Sequence, residues 1–120
     1  MDTNFILAII AVIIIIQTIL HISFSHQSPS SNSSILWFYR DGCGYCTKME
    51  GEWSKFIKIA PSTLDIQKID IRKNEQMVKD FNVQGVPHIV LIMGSQRIVY
   101  NGDRSAEDLL KFATSLNIDN

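Results

Sequence analysis

The sequence has 120 residues, 11 Lys and Arg against 12 Asp and Glu, a formal net charge of −1 and two cysteines. That length holds one small domain and excludes a multi-domain enzyme, and two cysteines cannot build the disulfide framework of a small secreted scaffold. Asp2 is the only charged side chain before Arg40, so residues 25–120 balance at 11 positive and 11 negative groups, which excludes a basic footprint and with it a nucleic-acid partner.

Phe5 to Ile16 is an unbroken apolar run of twelve, and 16 of the 20 residues from Phe5 to Phe24 are apolar. About 20 such residues at 1.5 Å rise span a hydrocarbon core of roughly 30 Å. Residues 1–24 are therefore expected to form a transmembrane anchor, with membrane contact through residues 5–24. The competing expectation is a signal segment, cleaved near Ser23-Phe24-Ser25, although the usual basic stretch before the apolar run is missing. With no Lys or Arg on the N-side and the first on the C-side at Arg40, the positive-inside rule tilts only weakly toward a cytoplasm-facing domain. Asn32-Ser33-Ser34 is a glycosylation sequon that matters only if the domain faces a lumen. A cellular lumen, a periplasm and a viral membrane all fit, and sidedness stays open. Ser25 to Ser34 holds six serines in ten residues, and residues 25–33 read as a flexible tether.

Residues 34–120 read as one domain. Ile35 to Tyr39 is an apolar, aromatic-rich run of strand length. After an Asp41-Gly42 turn, Met49, Trp53, Phe56, Ile57 and Ala60 recur at helical spacing until Pro61. Leu64 to Ile71 predicts a second strand, and Asn74 is placed to cap a short helix carrying Met77, Val78 and Phe81. His88 to Met93 and Arg97 to Tyr100, joined at Gly94-Ser95, predict a hairpin. Ser105 and Asp108 form a capping box opening a last helix with Ala106, Leu109, Leu110, Ala113 and Leu116 inward. The expected order is β-α-β-α-β-β-α.

Cys43-Gly44-Tyr45-Cys46 falls between the first strand and the first helix of that order. A cysteine at a helix N-terminus meets unpaired N–H groups and the positive dipole end, which favour its thiolate. Cys46, one turn later, is within disulfide reach and suits a resolving thiol. Half a zinc site is the alternative, but there is no further cysteine. Two of the three histidines, His21 and His26, lie in the membrane segment and tether, so no metal is expected. A purely structural disulfide closing so short a loop adds little stability.

These residues, with Gly85-Val86-Pro87 before a buried strand and the final hairpin and helix, resemble the thioredoxin superfamily. The resemblance covers nearly all of residues 34–120 and implies a minimal thioredoxin fold, an α/β domain with a mixed four-stranded sheet, behind the N-terminal transmembrane helix. It further implies that Pro87 is cis, a state costing only about 0.5–1 kcal/mol at X-Pro, and that Val86 offers its backbone to a bound substrate chain. Cys43 and Cys46 are then the catalytic, redox-active pair, and Tyr45, Gly42 and Val86 a shallow apolar contact surface. Tyr100 to Ser105 resembles the matching stretch of protein disulfide isomerase domains, where the arginine assists turnover, which casts Arg104 as a modulating residue.

Three departures stand out. Trp37 occupies the place of the family's buried acid, leaving Lys68 without its family partner. Gly42 replaces the tryptophan before the first cysteine, and the extra N-terminal strand and helix are absent. Gly51 also stands where the helix often has proline. The expected function is a membrane-tethered thiol–disulfide oxidoreductase acting on protein thiols and disulfides, without a cofactor. Its redox potential is expected between the reducing thioredoxins and the strongly oxidising bacterial enzymes. With no third cysteine, an external redox partner or small thiol must regenerate it. The alternative is a client-binding, chaperone-like module with incidental redox activity.

Overall fold

A computed structural model describes residues 2–24 and 33–115. The helix at the N-terminus and the domain that follows are separate units. Helix α1, Thr3–Phe24, is 22 residues long, about 33 Å at 1.5 Å per residue. None of its apolar window Thr3–Leu20 is buried. By length and composition it can cross a membrane. Residues 25–32 of the expected tether and Leu116 lie outside the described residues, whereas Ser33 is buried and its carbonyl accepts the Asp65 N–H at 2.9 Å.

The domain runs β1 (Ser34–Tyr39), α2 (Gly44–Ile59), β2 (Asp65–Asp70), α3 (Glu75–Asp80), β3 (His88–Met93), β4 (Gln96–Tyr100) and α4 (Ala106–Ser115). The order matches the sequence expectation, with β2 one residue shorter at each end. The sheet order is β2-β1-β3-β4. β1 pairs parallel with β2 and antiparallel with β3, and β3 pairs antiparallel with β4. This is the mixed four-stranded sheet of the thioredoxin fold.

Alternation along β1 and β3 divides the core in two. Ile35, Trp37, Ile89 and Leu91 face α2 and α4, where Cys46, Met49, Trp53, Phe56, Leu109 and Ala113 close the larger cluster. Leu36, Phe38 and Val90 point the other way, against Met77 of α3 and Phe81 at its C-cap. The central strands are buried on both faces, which is why they read as continuous apolar runs.

Two helix starts differ in detail from expectation. The Asn74 side chain makes no cap bond at α3; its Nδ2 donates to the Asp70 carbonyl at 3.0 Å instead. At α4, Ser105 Oγ accepts the Asp108 N–H at 3.1 Å and its hydroxyl donates to Asp108 Oδ2 at 2.6 Å. A second cap comes from α2, where Glu52 Oε2 accepts the Ala106 N–H at 2.9 Å. The Glu52 carboxyl is held below its usual range first by its bond from Lys55 and then by the Ala106 N–H.

Helix α2 runs unbroken through Gly51, whose missing Cβ faces open space. Gly51→Ala is therefore expected to raise stability by about 0.5–1 kcal/mol, because glycine costs that much in a helix interior. Equilibrium denaturation of the two forms checks this; a lower midpoint for the alanine form would show an unseen constraint at that turn.

Candidate active site

The site grows out of the turn between β1 and α2. Gly42 has φ +78°, a left-handed conformation in which a side chain is strained. The turn therefore needs glycine at Gly42, whatever a tryptophan would contribute there in relatives. Cys43 follows as the N-cap of α2, and its Sγ accepts the Cys46 N–H at 3.2 Å. Its thiol donates to the Val86 carbonyl at 3.8 Å. The Val86–Pro87 peptide bond is cis. Cys43 and Cys46 at the start of α2 are thus brought to Val86 and Pro87 in the loop before β3.

The two cysteines are electrostatically distinct. Burial works against a Cys43 thiolate, but the Cys46 thiol and N–H, the Arg40 charge and the Tyr45 N–H outweigh it and set its pKa below 9.0. For Cys46, burial and its bond to Cys43 push the pKa up to about 11, against the Arg40 N–H and the Arg104 charge. Cys43 is 8% exposed and Cys46 3%. The outer thiol is poised to ionise and the inner one to stay protonated.

A groove of about 520 Å³ opens beside Cys43, lined by Gly42, Tyr45 and Val86, with Arg40, Ile71 and Val83 extending it. Tyr45 is 68% exposed. The expected contact surface is thus one wall of a longer channel containing a charge. On the other side, Tyr45, Lys48, Met49 and Arg104 line a second cleft of about 210 Å³ with Gly102 and Asp103. Among the described residues no cluster of three His, Cys, Asp or Glu could hold a metal.

Lys68 is not left unpartnered, as the family comparison implied. Its Nζ lies 2.7 Å from both oxygens of Glu50, and 4.8 Å and 4.3 Å from the ring centres of Trp37 and Tyr39. The carboxylate that meets Lys68 comes from α2 rather than β1. In its place on β1, Trp37 is fully buried against Trp53 with its Nε1 unpaired.

Arg72 is a further residue that sequence reasoning missed. Its guanidinium bonds Asp70 at 2.9 Å and Asp41 at 2.6 Å, tying the end of β2 to the turn before Cys43. The bonds from Arg72 hold the Asp70 carboxyl at about 2, against an ordinary 3.8. A carboxyl lowered on folding stabilises above its unfolded pKa, and that contribution is lost on acidification. The ionisation-dependent part of the native chain's stability advantage over Asp70→Asn is expected to be present above pH 3.8 and to be lost as pH falls through about 2. Denaturation midpoints at several pH values check it; a pH-independent gap would sever the link to ionisation.

A mixed sheet with helices on both faces, and a Cys-x-x-Cys pair at a helix start beside a cis proline, define a thioredoxin-fold dithiol protein. The thioredoxin family model matches residues 17–115, and the chain belongs to that family. Among curated relatives, protein disulfide-isomerase TMX3 of Xenopus laevis is 33% identical over 79 residues, covering 63% of this chain and 18% of that protein. Bloodstream-specific protein 2 of Trypanosoma brucei brucei is 29% identical over 94 residues, covering 75% of this chain and 18% of its own length. The chain thus spans less than a fifth of either relative. The J-Trx1 fragment of ERdj5 superposes with a TM-score of 0.67 at 26% identity, over 78% of this chain and 47% of that one.

Proposed function

We propose that this protein is a membrane-tethered thiol–disulfide oxidoreductase acting on protein cysteines, with Cys43 as nucleophile and Cys46 as resolving thiol. The observation that carries it is the Cys43 sulfur at the α2 N-terminus, receiving the Cys46 N–H at 3.2 Å and lying 3.8 Å from the Val86 carbonyl. In the first step the Cys43 thiolate attacks one sulfur of a client disulfide. A Cys43–client S–S bond forms, the client S–S bond breaks and the other client sulfur leaves as thiolate. Cys46, deprotonated, then attacks the Cys43 sulfur and expels the second client thiolate. The client disulfide has gained two electrons and two protons, and the pair has become a disulfide. The reverse sequence oxidises a client dithiol, and an external thiol or disulfide resets the pair.

Val86 supplies backbone hydrogen-bonding groups beside the reacting sulfur, and Pro87, Gly42 and Tyr45 shape the surface around it. Arg104 modulates the inner thiol through its charge. Helix α1 holds the domain at a bilayer. The test is the reduction potential of the detergent-solubilised chain, by equilibration with glutathione buffers and alkylation of free thiols. A value near −270 mV marks a reductant and one near −180 mV an isomerase or oxidant. Failure to exchange at all overturns the enzyme reading. The second reading, a client-holding module, is favoured by Trp37 in place of an acid. It requires Cys43→Ser/Cys46→Ser to protect clients from aggregation as well as the native chain does.

A further inference from the structure

The charged groups around the dithiol are unevenly paired. Arg40, Lys48 and Arg104 are all exposed, and among the described residues none has a carboxylate within ion-pair distance. Of the other cations, Lys55, Lys68, Arg72 and Lys111 each meet an acid, while among the described residues Lys58, Lys73, Lys79 and Arg97 do not. The three cations beside the dithiol take defined places, Lys48 with its Nζ 5.6 Å from the Tyr45 ring centre. Arg40 lines the groove on the Val86 side of Cys43, where Ile71 and Val83 are apolar and no other charge stands. Lys48 and Arg104 line the cleft on the other side of Tyr45, against one carboxylate, Asp103. Asp41, next to Arg40 in the chain, is turned to Arg72 at 2.6 Å.

A client segment joined to Cys43 has to leave the sulfur in both chain directions. The groove of about 520 Å³ falls in the range of ligand-binding clefts and lies on one side of Cys43, while the smaller cleft of about 210 Å³ lies on the other side of Tyr45, so each is placed to meet one flank. We propose that the site selects client segments with acidic residues on both sides of the exchanging cysteine, Arg40 meeting one flank and Lys48 with Arg104 the other. This rests on the exchange activity proposed above. The cations are solvated, so each contributes modestly and the selection is a sum of three screened attractions acting during approach and in the mixed disulfide.

The test uses the reduced full chain in non-ionic detergent and three symmetric peptide disulfides whose single cysteine is flanked on both sides by Glu, Gln or Lys. Each peptide's reduction rate is divided by its rate with dithiothreitol, which removes differences in intrinsic disulfide reactivity. The Glu peptide is expected to exceed the Lys peptide by about tenfold at low salt, with Gln between, and the ratio to shrink toward one at 1 M salt, where the Debye length is about 3 Å. In Arg40→Gln/Lys48→Gln/Arg104→Gln the Glu-to-Lys ratio is expected to fall to about twofold or less. The ratio is unaffected by any change these substitutions make to the thiols themselves. Equal or reversed normalised rates overturn the selection while exchange stands. No reduction of any peptide above a Cys43→Ser control overturns the exchange reading as well. The salt series on the native chain decides the matter if the triple variant fails to fold.

Discussion

Cys46→Ala is expected to accumulate mixed disulfides with client proteins, and Cys43→Ser to form none. With Cys46 present, the resolving sulfur sits one helical turn from the attacked one and competes against any outside thiol as a positioned, intramolecular nucleophile. Removing it leaves only bimolecular rescue, so adducts that are transient in the native chain become the major trapped species. The pKa values add a second, independent signature. Cys43 ionises below 9.0, whereas burial and the Cys43 bond raise Cys46 to about 11. In the mixed disulfide the Cys43 thiol is gone, but burial, the largest cause of the Cys46 rise, persists and keeps Cys46 mostly protonated at pH 7. Attack on clients is therefore expected to level off as Cys43 finishes titrating, while resolution keeps rising roughly tenfold per pH unit. Acid-quenched time courses between pH 6 and 9, resolved by non-reducing electrophoresis, separate the two steps. If resolution is flat across that range, Cys46 is being deprotonated by a neighbouring group, and the division of labour drawn from burial fails. If Cys46→Ala traps nothing while Cys43 still alkylates, the exchange mechanism itself is wrong.

The parts of this site that local sequence exposes are those set by short spacing. The step from Ile35–Tyr39 to a helical stripe at Met49, Trp53 and Phe56 placed the cysteine pair at a helix start, because a change of hydrophobic period is a local signal. The contacts that spacing cannot express are the long ones. Glu50 meets Lys68 across 18 residues, Arg72 reaches Asp41 across 31, and Glu52 caps α4 across 54. The first two join exposed or half-exposed polar side chains whose pattern resembles any solvated surface, and the third meets a backbone N–H that no side-chain pattern announces. Gly42 shows a related limit. Against the family pattern it reads as a lost tryptophan, but its φ of +78° makes it a backbone requirement of the turn. Lys68 shows the opposite failure: substituting the family acid by Trp37 predicted a missing partner, and another element supplied one. The cation cluster at the dithiol was only half legible, since Arg40 and Lys48 flank the Cys-x-x-Cys in sequence but Arg104 joins them beside Tyr45 only in the fold.

Phe56→Ala is expected to destabilise the domain by about 3–5 kcal/mol, the cost of truncating a buried phenylalanine. Phe56 is fully buried, and its ring lies 5.3 Å from that of Trp53, which in turn lies 5.1 Å from Trp37. The loss combines transfer of the ring to water with a cavity among aromatic neighbours too large to collapse into it. A domain of this size has only about 5–15 kcal/mol in hand, so a substantial share of its stability hangs on one ring. Both tryptophans lie in this cluster and α1 contains none, so their fluorescence reports on the domain alone, even in detergent-solubilised full chain. The same helix face carries Cys46, Met49, Trp53 and Phe56, which links the core to the chemistry. Raising the unfolded population makes Cys46 reactive toward an alkylating agent in proportion to that population. The expected result is a denaturation midpoint shifted down with unchanged slope, together with faster Cys46 alkylation. A shift corresponding to less than about 1 kcal/mol would mean that the aromatic cluster repacks around the gap, because conserved-volume repacking is the main route to so small a loss. Faster alkylation without loss of stability would instead place the opening locally, at the start of α2, and separate the mobility of the dithiol from the core beneath it.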